Sequence, residues 1–171
     1  RLLLQAVDDS VITPYKDANL DTRMSKASFF KNLELPSYPP EDECCGDEIV
    51  DDLVSSPDYL FPTDVYLLEI NEEMMFHKQR SRMYTDIKSI TLFLSADHPD
   101  NLKGIDVALA TFSYKELNDK LFLDNPNALW FSPYNNSAHL NLADAFELRL
   151  FHSHIIKVSN PNGDYLIDSY N

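Results

Sequence analysis

The residues best suited to chemistry are His152 and His154, in the run HSH, and His77, at the end of EEMMFH. Two imidazoles two positions apart share a face if the chain is extended and separate if it is helical. A metal site built on them needs a third ligand, and the sequence singles none out. His77 follows an apolar step with no Asp or Cys at a spacing that pairs with it. Glu72 and Glu73 alternate across a strand, so they do not flank one bond as a glycosidase pair does. Cys44 and Cys45 are adjacent, with Cα atoms about 3.8 Å apart, below the usual disulfide range. They read as two thiols in a loop; a bridge to another chain and a strained vicinal pair are the alternatives. No phosphate loop, dinucleotide fingerprint, nucleophile elbow or zinc signature occurs. With 3 glycines in 171 residues, backbone rarely has the freedom to cradle a cofactor. We assign no catalytic, cofactor-binding or metal-ligating residue; missing motifs do not exclude an enzyme, but they favour a structural or interaction protein.

What remains is a basic cluster. Lys78, Gln79, Arg80, Ser81 and Arg82 follow two acids, three large apolar residues and His77, on a chain whose net charge is −14. Two readings stay open for it. It is a solvated hairpin tip, or it is a patch that meets acidic surface on a neighbour, where Arg binds carboxylates bidentately and Lys does not. Exposed pairs of this kind contribute about 0–1 kcal/mol each, so they set register more than affinity.

The elements that must position this cluster are strands. In TDVYLLEINEEMMFHK the even positions Tyr66, Leu68, Ile70, Met74 and Phe76 form one apolar face, broken by Glu72, as a half-buried strand requires. DIKSITLFLSA repeats the alternation with Ile90, Leu92 and Leu94, so KQRSRMYTD between them is a hairpin connection or a bulged edge. GIDVALATFSY is a third strand with Ile105, Val107 and Leu109 inward. Helices are expected near residues 1–7, in SKASFFKNLE with Ser25 as its cap, in YKELNDKLF with Leu117 and Leu121 stacked, and in LADAFELRLF. The last starts at Asn141, with Asp144 in its first turn and Leu142, Ala145 and Phe146 as its stripe. DNPNALWFSPYNNSAH reads as turn-rich. A strand is expected from about Ile155, followed by a turn at NPNGDY. The fold class is α+β: a small antiparallel sheet of three or more strands with helices packed on one face.

The bulk composition agrees. A length of 171 residues with 44% hydrophobic content is one globular domain, able to bury a core without staples. The acidic balance argues against a nucleic-acid binder and against docking on anionic lipid. No apolar run reaches the length of a membrane span, so no direct membrane insertion is expected. Residues 36–62 hold five prolines and the run EDECCGDEIVDD with seven acids, and read as a solvated loop. The chain starts at Arg1 inside RLLLQAV and reads as a mature product or a fragment.

Four segments in order resemble the GldN/PorN family of the type IX secretion and gliding-motility apparatus of Bacteroidetes. They are RLLLQAVDDSVITPYKD; EINEEMMFHKQRSRMY, with Lys78, Gln79, Arg80 and Ser81 in the family's K-Q-R-S stretch; KGIDVALATFSYKEL; and LNLADAFELRLFHSHIIKVSN with DYLIDSY. In the last, Asp144, Phe146, Arg149, Phe151, Ser153, Ile155 and Lys157 fill the family's positions, and Asp168 and Tyr170 its close. The resemblance covers about residues 1–35 and 63–171; the loop between has no counterpart. Family members are longer at the N-terminus and begin with a signal peptide. The resemblance implies a non-enzymatic ring subunit in the periplasm, held to the outer membrane through a lipoprotein of the GldK/PorK type. It also implies contact with the periplasmic part of a GldM/PorM-type motor protein and with neighbouring copies. Lys78, Gln79, Arg80, Ser81, Arg82, Arg149, Phe151 and Lys157 are the expected partner interface. A periplasmic ligand-binding or adaptor domain on the same fold is the alternative.

Overall fold

The computed structural model describes residues 2–35, 59–123, 125–132 and 139–169. The acidic loop lies almost wholly outside the described residues, as do Cys44, Cys45 and Tyr170. The chain divides into two compact units, Arg1–Asp124 and Asn125–Asn171.

The first unit is built on a three-stranded antiparallel sheet in the order β1 (Leu67–His77), β2 (Arg82–Leu94), β3 (Val107–Ser113). Helix α1 (Leu2–Asp8) buries Ala6 and Val7. Helix α2 (Lys26–Leu33) starts where Ser25 Oγ accepts the Ser28 N–H, satisfying one of the orphan amides of a first turn. Its Phe29 and Leu33 are buried, and the Phe29 ring meets the sheet edge-on at Phe112, with centroids 6.0 Å apart. Helix α3 (Tyr114–Leu117) runs into a wider, π-type turn at Asn118–Phe122, and Leu117 and Leu121 are both buried. Together these cover the expected helix over residues 114–122.

Both faces of the sheet are covered where β2 and β3 meet. Ile90, Leu92, Leu94 and Phe112 lie in the apolar core, while Thr91 and Thr111 share a buried hydroxyl contact of 3.0 Å. Ser89 Oγ donates to the Ala18 carbonyl at 2.7 Å, and Tyr15 exchanges two backbone hydrogen bonds with Thr111. The N-terminal segment thus closes the outer edge of β3.

Several expectations are corrected here. Tyr66, Leu68, Met74 and Phe76 are exposed and not buried. Alternation shows which side chains share a face, but β3 pairs only with residues 89–94 of β2, so nothing described covers the rest of the hairpin. Ile105 precedes β3 and is exposed, and Val107 is only half-buried. The register slips between Leu92 and Phe93, and residues 109–112 are buried on both faces.

In the second unit, the turn-rich stretch forms a short antiparallel pair, β4 (Leu129–Phe131) with β5 (His139–Asn141). Helix α4 (Leu142–Glu147) begins at Asn141, whose side chain accepts the Ala143 N–H at 2.8 Å, and buries Ala145 and Phe146. The helix expected to reach Phe151 stops after Glu147. Arg149 takes φ 52°, its N–H donates to the Phe146 carbonyl, and the Leu150 N–H reaches back to Ala145. That is a Schellman termination with Arg149 in the left-handed position usually held by Gly. No strand forms at Ile155. The turn at NPNGDY is present: Gly163 has φ 73°, and the Asn160 side chain bonds Asp164 in both directions. The chain then enters α5 (Leu166–Ser169).

Candidate partner interface

The basic cluster sits at the end of an arm. The last β2–β3 pair is Ser89 with Ser113; beyond it, β1 and β2 continue alone as a two-stranded ribbon. The joint is a bulge. Asn71 opposes Ser89 but Glu72 opposes Ile87, leaving Lys88 as the extra residue. A bulge bends and twists its strand, so it sets the direction in which the arm leaves the sheet. Lys88 also ties the joint together, reaching Asp86 at 2.6 Å and Glu73 at 3.1 Å. Hydrogen bonds to Asp86 first and Glu73 second hold its ammonium above the ordinary lysine range.

From residue 72 to residue 77 the arm reaches about 17 Å. Its register puts Phe76 opposite Met83 and Met74 opposite Thr85 on one face, and Met75 opposite Tyr84 on the other. Met74, Phe76 and Met83 are 63%, 63% and 61% exposed, and Met75 and Tyr84 48% and 42%. A large side chain offers roughly 150–250 Å², so Met74, Phe76 and Met83 present about 400 Å² of apolar surface on one face, within the range of the largest patch on an ordinary monomer, and Met75 and Tyr84 about 200 Å² on the other. Three of the 4 methionines of the chain lie here; flexible, polarizable Met suits a surface that must adapt to a partner.

The tip is a four-residue turn, Lys78, Gln79, Arg80 and Ser81, closed by the pair His77 and Arg82. The Arg80 N–H donates to the His77 carbonyl at 3.2 Å and to its Nδ1 at 3.3 Å, and Ser81 takes φ 48° to turn the chain. His77 stacks edge-on against Tyr84, with centroids 6.5 Å apart. Lys78, Arg80 and Arg82 are exposed, and none makes an ion pair among the described residues. The arm therefore has one lysine shared by two acids at its base, apolar flanks and a tip of three cations without an ion pair among the described residues.

The five expected tip residues are thus brought together in one turn. The other three lie in the second unit. Arg149 places its guanidinium 5.5 Å from the Phe151 ring centre, and Phe151 packs on Phe146 with centroids 5.6 Å apart. Lys157 lies 5.1 Å from the Tyr165 ring centre. The apolar flanks of the arm are not among the expected interface residues, because their alternation reads as core. His152 and His154 are exposed, and among the described residues no group of three or more His, Cys, Asp or Glu is placed to hold a metal ion. No helix among the described residues is long and apolar enough to cross a membrane.

The sequence model of the family described as gliding motility associated protein GldN matches residues 1–171. No curated protein and no solved structure matches the chain.

Proposed function

Because the chain belongs to the GldN family, we propose that it is a non-enzymatic structural subunit of a periplasmic ring of the type IX secretion system. In this reading it supports secretion across the outer membrane and, in species that glide, motility. Its partners are an outer-membrane lipoprotein of the GldK/PorK type, the periplasmic part of a GldM/PorM-type motor protein, and neighbouring copies. Attachment to the outer membrane runs through the lipoprotein.

The observation that carries this reading is the arm. An apolar ribbon that leaves its own core uncovered, and ends in cations on a chain of net charge −14, is built to be covered by another macromolecule. A small ligand takes a concave site instead. The groove of about 460 Å³ lined by Leu4, Gln5, Asp8, Lys26, Phe30 and Tyr59 is open to solvent, and its two charged groups, Asp8 and Lys26, pair with each other at 2.6 Å.

Co-purification tests the proposal. Tagged chain drawn from a native envelope should bring down the lipoprotein in a large assembly, and its deletion should stop secretion of proteins that carry a type IX signal. Recovery as a monomer from the periplasmic fraction, with secretion intact in the deletion strain, contradicts it.

A further inference from the structure

The first unit carries an apolar groove as well as the arm. Leu4, Gln5 and Asp8 of α1, Lys26 and Phe30 of α2, and Tyr59 wall a space of about 460 Å³. Phe30 and Tyr59 meet edge-on, with centroids 6.1 Å apart, and Tyr59 is 45% exposed. The two charged walls, Asp8 and Lys26, already pair at 2.6 Å, so an apolar occupant strands no charge there. The surroundings are acidic. Asp9 follows Asp8, and the Glu34 backbone bridges Tyr59; both acids are exposed, and neither makes an ion pair among the described residues. Residues 41–58, which lead straight to Tyr59, hold eight acids and no Lys or Arg. An occupant suited to this place is apolar and ends in cations.

The arm has both properties. Its register gives it two unlike faces. One pairs Phe76 with Met83 and Met74 with Thr85, and has no ionisable group between Met74 and the tip. The other has Glu73 with Asp86 at its base and His77 with Arg82 at its end. Only the Phe76–Met83 face can therefore be covered whole without burying charge. An aromatic ring and two methionine sulfurs suit walls made by Phe30 and Tyr59. The tip then supplies the charge. Lys78, Arg80 and Arg82 fall within five residues, and no other five residues of the chain hold three Lys or Arg.

We infer that the Phe76–Met83 face of the arm of one copy docks in the groove between α1 and α2 of a second copy, with the tip cations set toward the acids around Tyr59. Different surfaces meet, so each copy gives an arm to one neighbour and receives one from another, around a ring or along a filament. Covering a face of about 400 Å² buries roughly 800 Å² in all, under the about 1,200 Å² of a stable pair. The contact therefore belongs to the assembly and does not hold two free copies together. It rests on the ring reading above and names the surfaces through which neighbours meet.

The test uses the assembly from cells that make two tagged versions of the chain, both with Cys44→Ser and Cys45→Ser. One carries Gln79→Cys at the tip of the arm, the other Gln5→Cys in the groove. A short bismaleimide should join the two tags. In the otherwise native chain, Phe76→Ser removes an exposed ring, so the melting temperature of the free chain should hold while association between copies weakens by roughly tenfold or more. An intact assembly in which the two tags do not cross-link, one in which Gln79→Cys is joined only to a different protein, or one indifferent to Phe76→Ser, overturns the inference and leaves the ring reading standing. A wild-type chain that enters no assembly overturns both.

Discussion

Reversing charge at the tip of the arm, with Arg80→Glu and Arg82→Glu together, should weaken assembly and spare the fold. Both side chains are exposed and make no ion pair among the described residues. The hydrogen bonds that close the turn near Arg80 use its backbone N–H, which substitution leaves in place. The melting temperature of the free chain should therefore stay where it is. Each exposed ion pair with a partner is worth about 0–1 kcal/mol, and reversal replaces the attraction with a repulsion of similar size. At the middle of that range two sites give about 2 kcal/mol, or roughly 30-fold in the dissociation constant. Because screening acts over about 8–10 Å at physiological salt, the defect should shrink as salt rises. The assay is the fraction of chain recovered in the large assembly across a salt series. Unchanged recovery at low salt would refute the reasoning and make the tip a solvated surface.

Other predictions follow from the same geometry. Phe146→Ala removes a buried ring that packs on Phe151 and should cost about 3–5 kcal/mol in denaturant unfolding; a change near zero would mean the α4 face is not core. Asn141→Ala deletes the cap on the Ala143 N–H and should cost about 1 kcal/mol in the same experiment. The Lys88 ammonium is held above its ordinary value by Asp86 and Glu73. Its contribution to the joint of the arm is thus present at neutral pH, below the unfolded lysine value, and is lost as pH rises through the folded one. Amide exchange in β1 and β2, corrected for its intrinsic pH dependence, should lose protection in strongly alkaline solution, and Lys88→Met should remove that dependence.

What the sequence made legible was local. Ser25 and Asn141 announce helix starts because a short polar side chain can reach an orphan amide two or three residues on. NPNGDY announces its turn because Gly163 supplies the positive φ. The face shared by Leu68, Ile70, Met74 and Phe76 was legible as a face, for the same reason that any strand alternates. Whether that face is covered depends on where β3 stops, and no residue within β1 records this. The end of α4 was hidden because Arg149 takes a left-handed conformation without being Gly or Asn, so the apolar stripe ran on through Leu150 and Phe151. The pairing of β4 with β5 was hidden by the density of turn residues around LWF. The absent strand at Ile155 differs in kind: its residues prefer strands, but among the described residues no strand runs alongside to pair with them. For the candidate interface, K-Q-R-S gave the tip and its charge, but the apolar flanks that give the arm its area emerged only from the pairing of β1 with β2.

If the arm is a docking surface, the chain carries its own reporters for it. Met74, Met75 and Met83 lie along the arm and are exposed, whereas Met24 is buried in the first unit. Oxidation to the sulfoxide follows exposure and is read by mass spectrometry. In the free chain the three arm methionines should oxidise well ahead of Met24. In the intact assembly taken from the envelope, they should be protected to a degree that approaches Met24. Equal oxidation of the arm methionines in free and assembled protein would contradict the account.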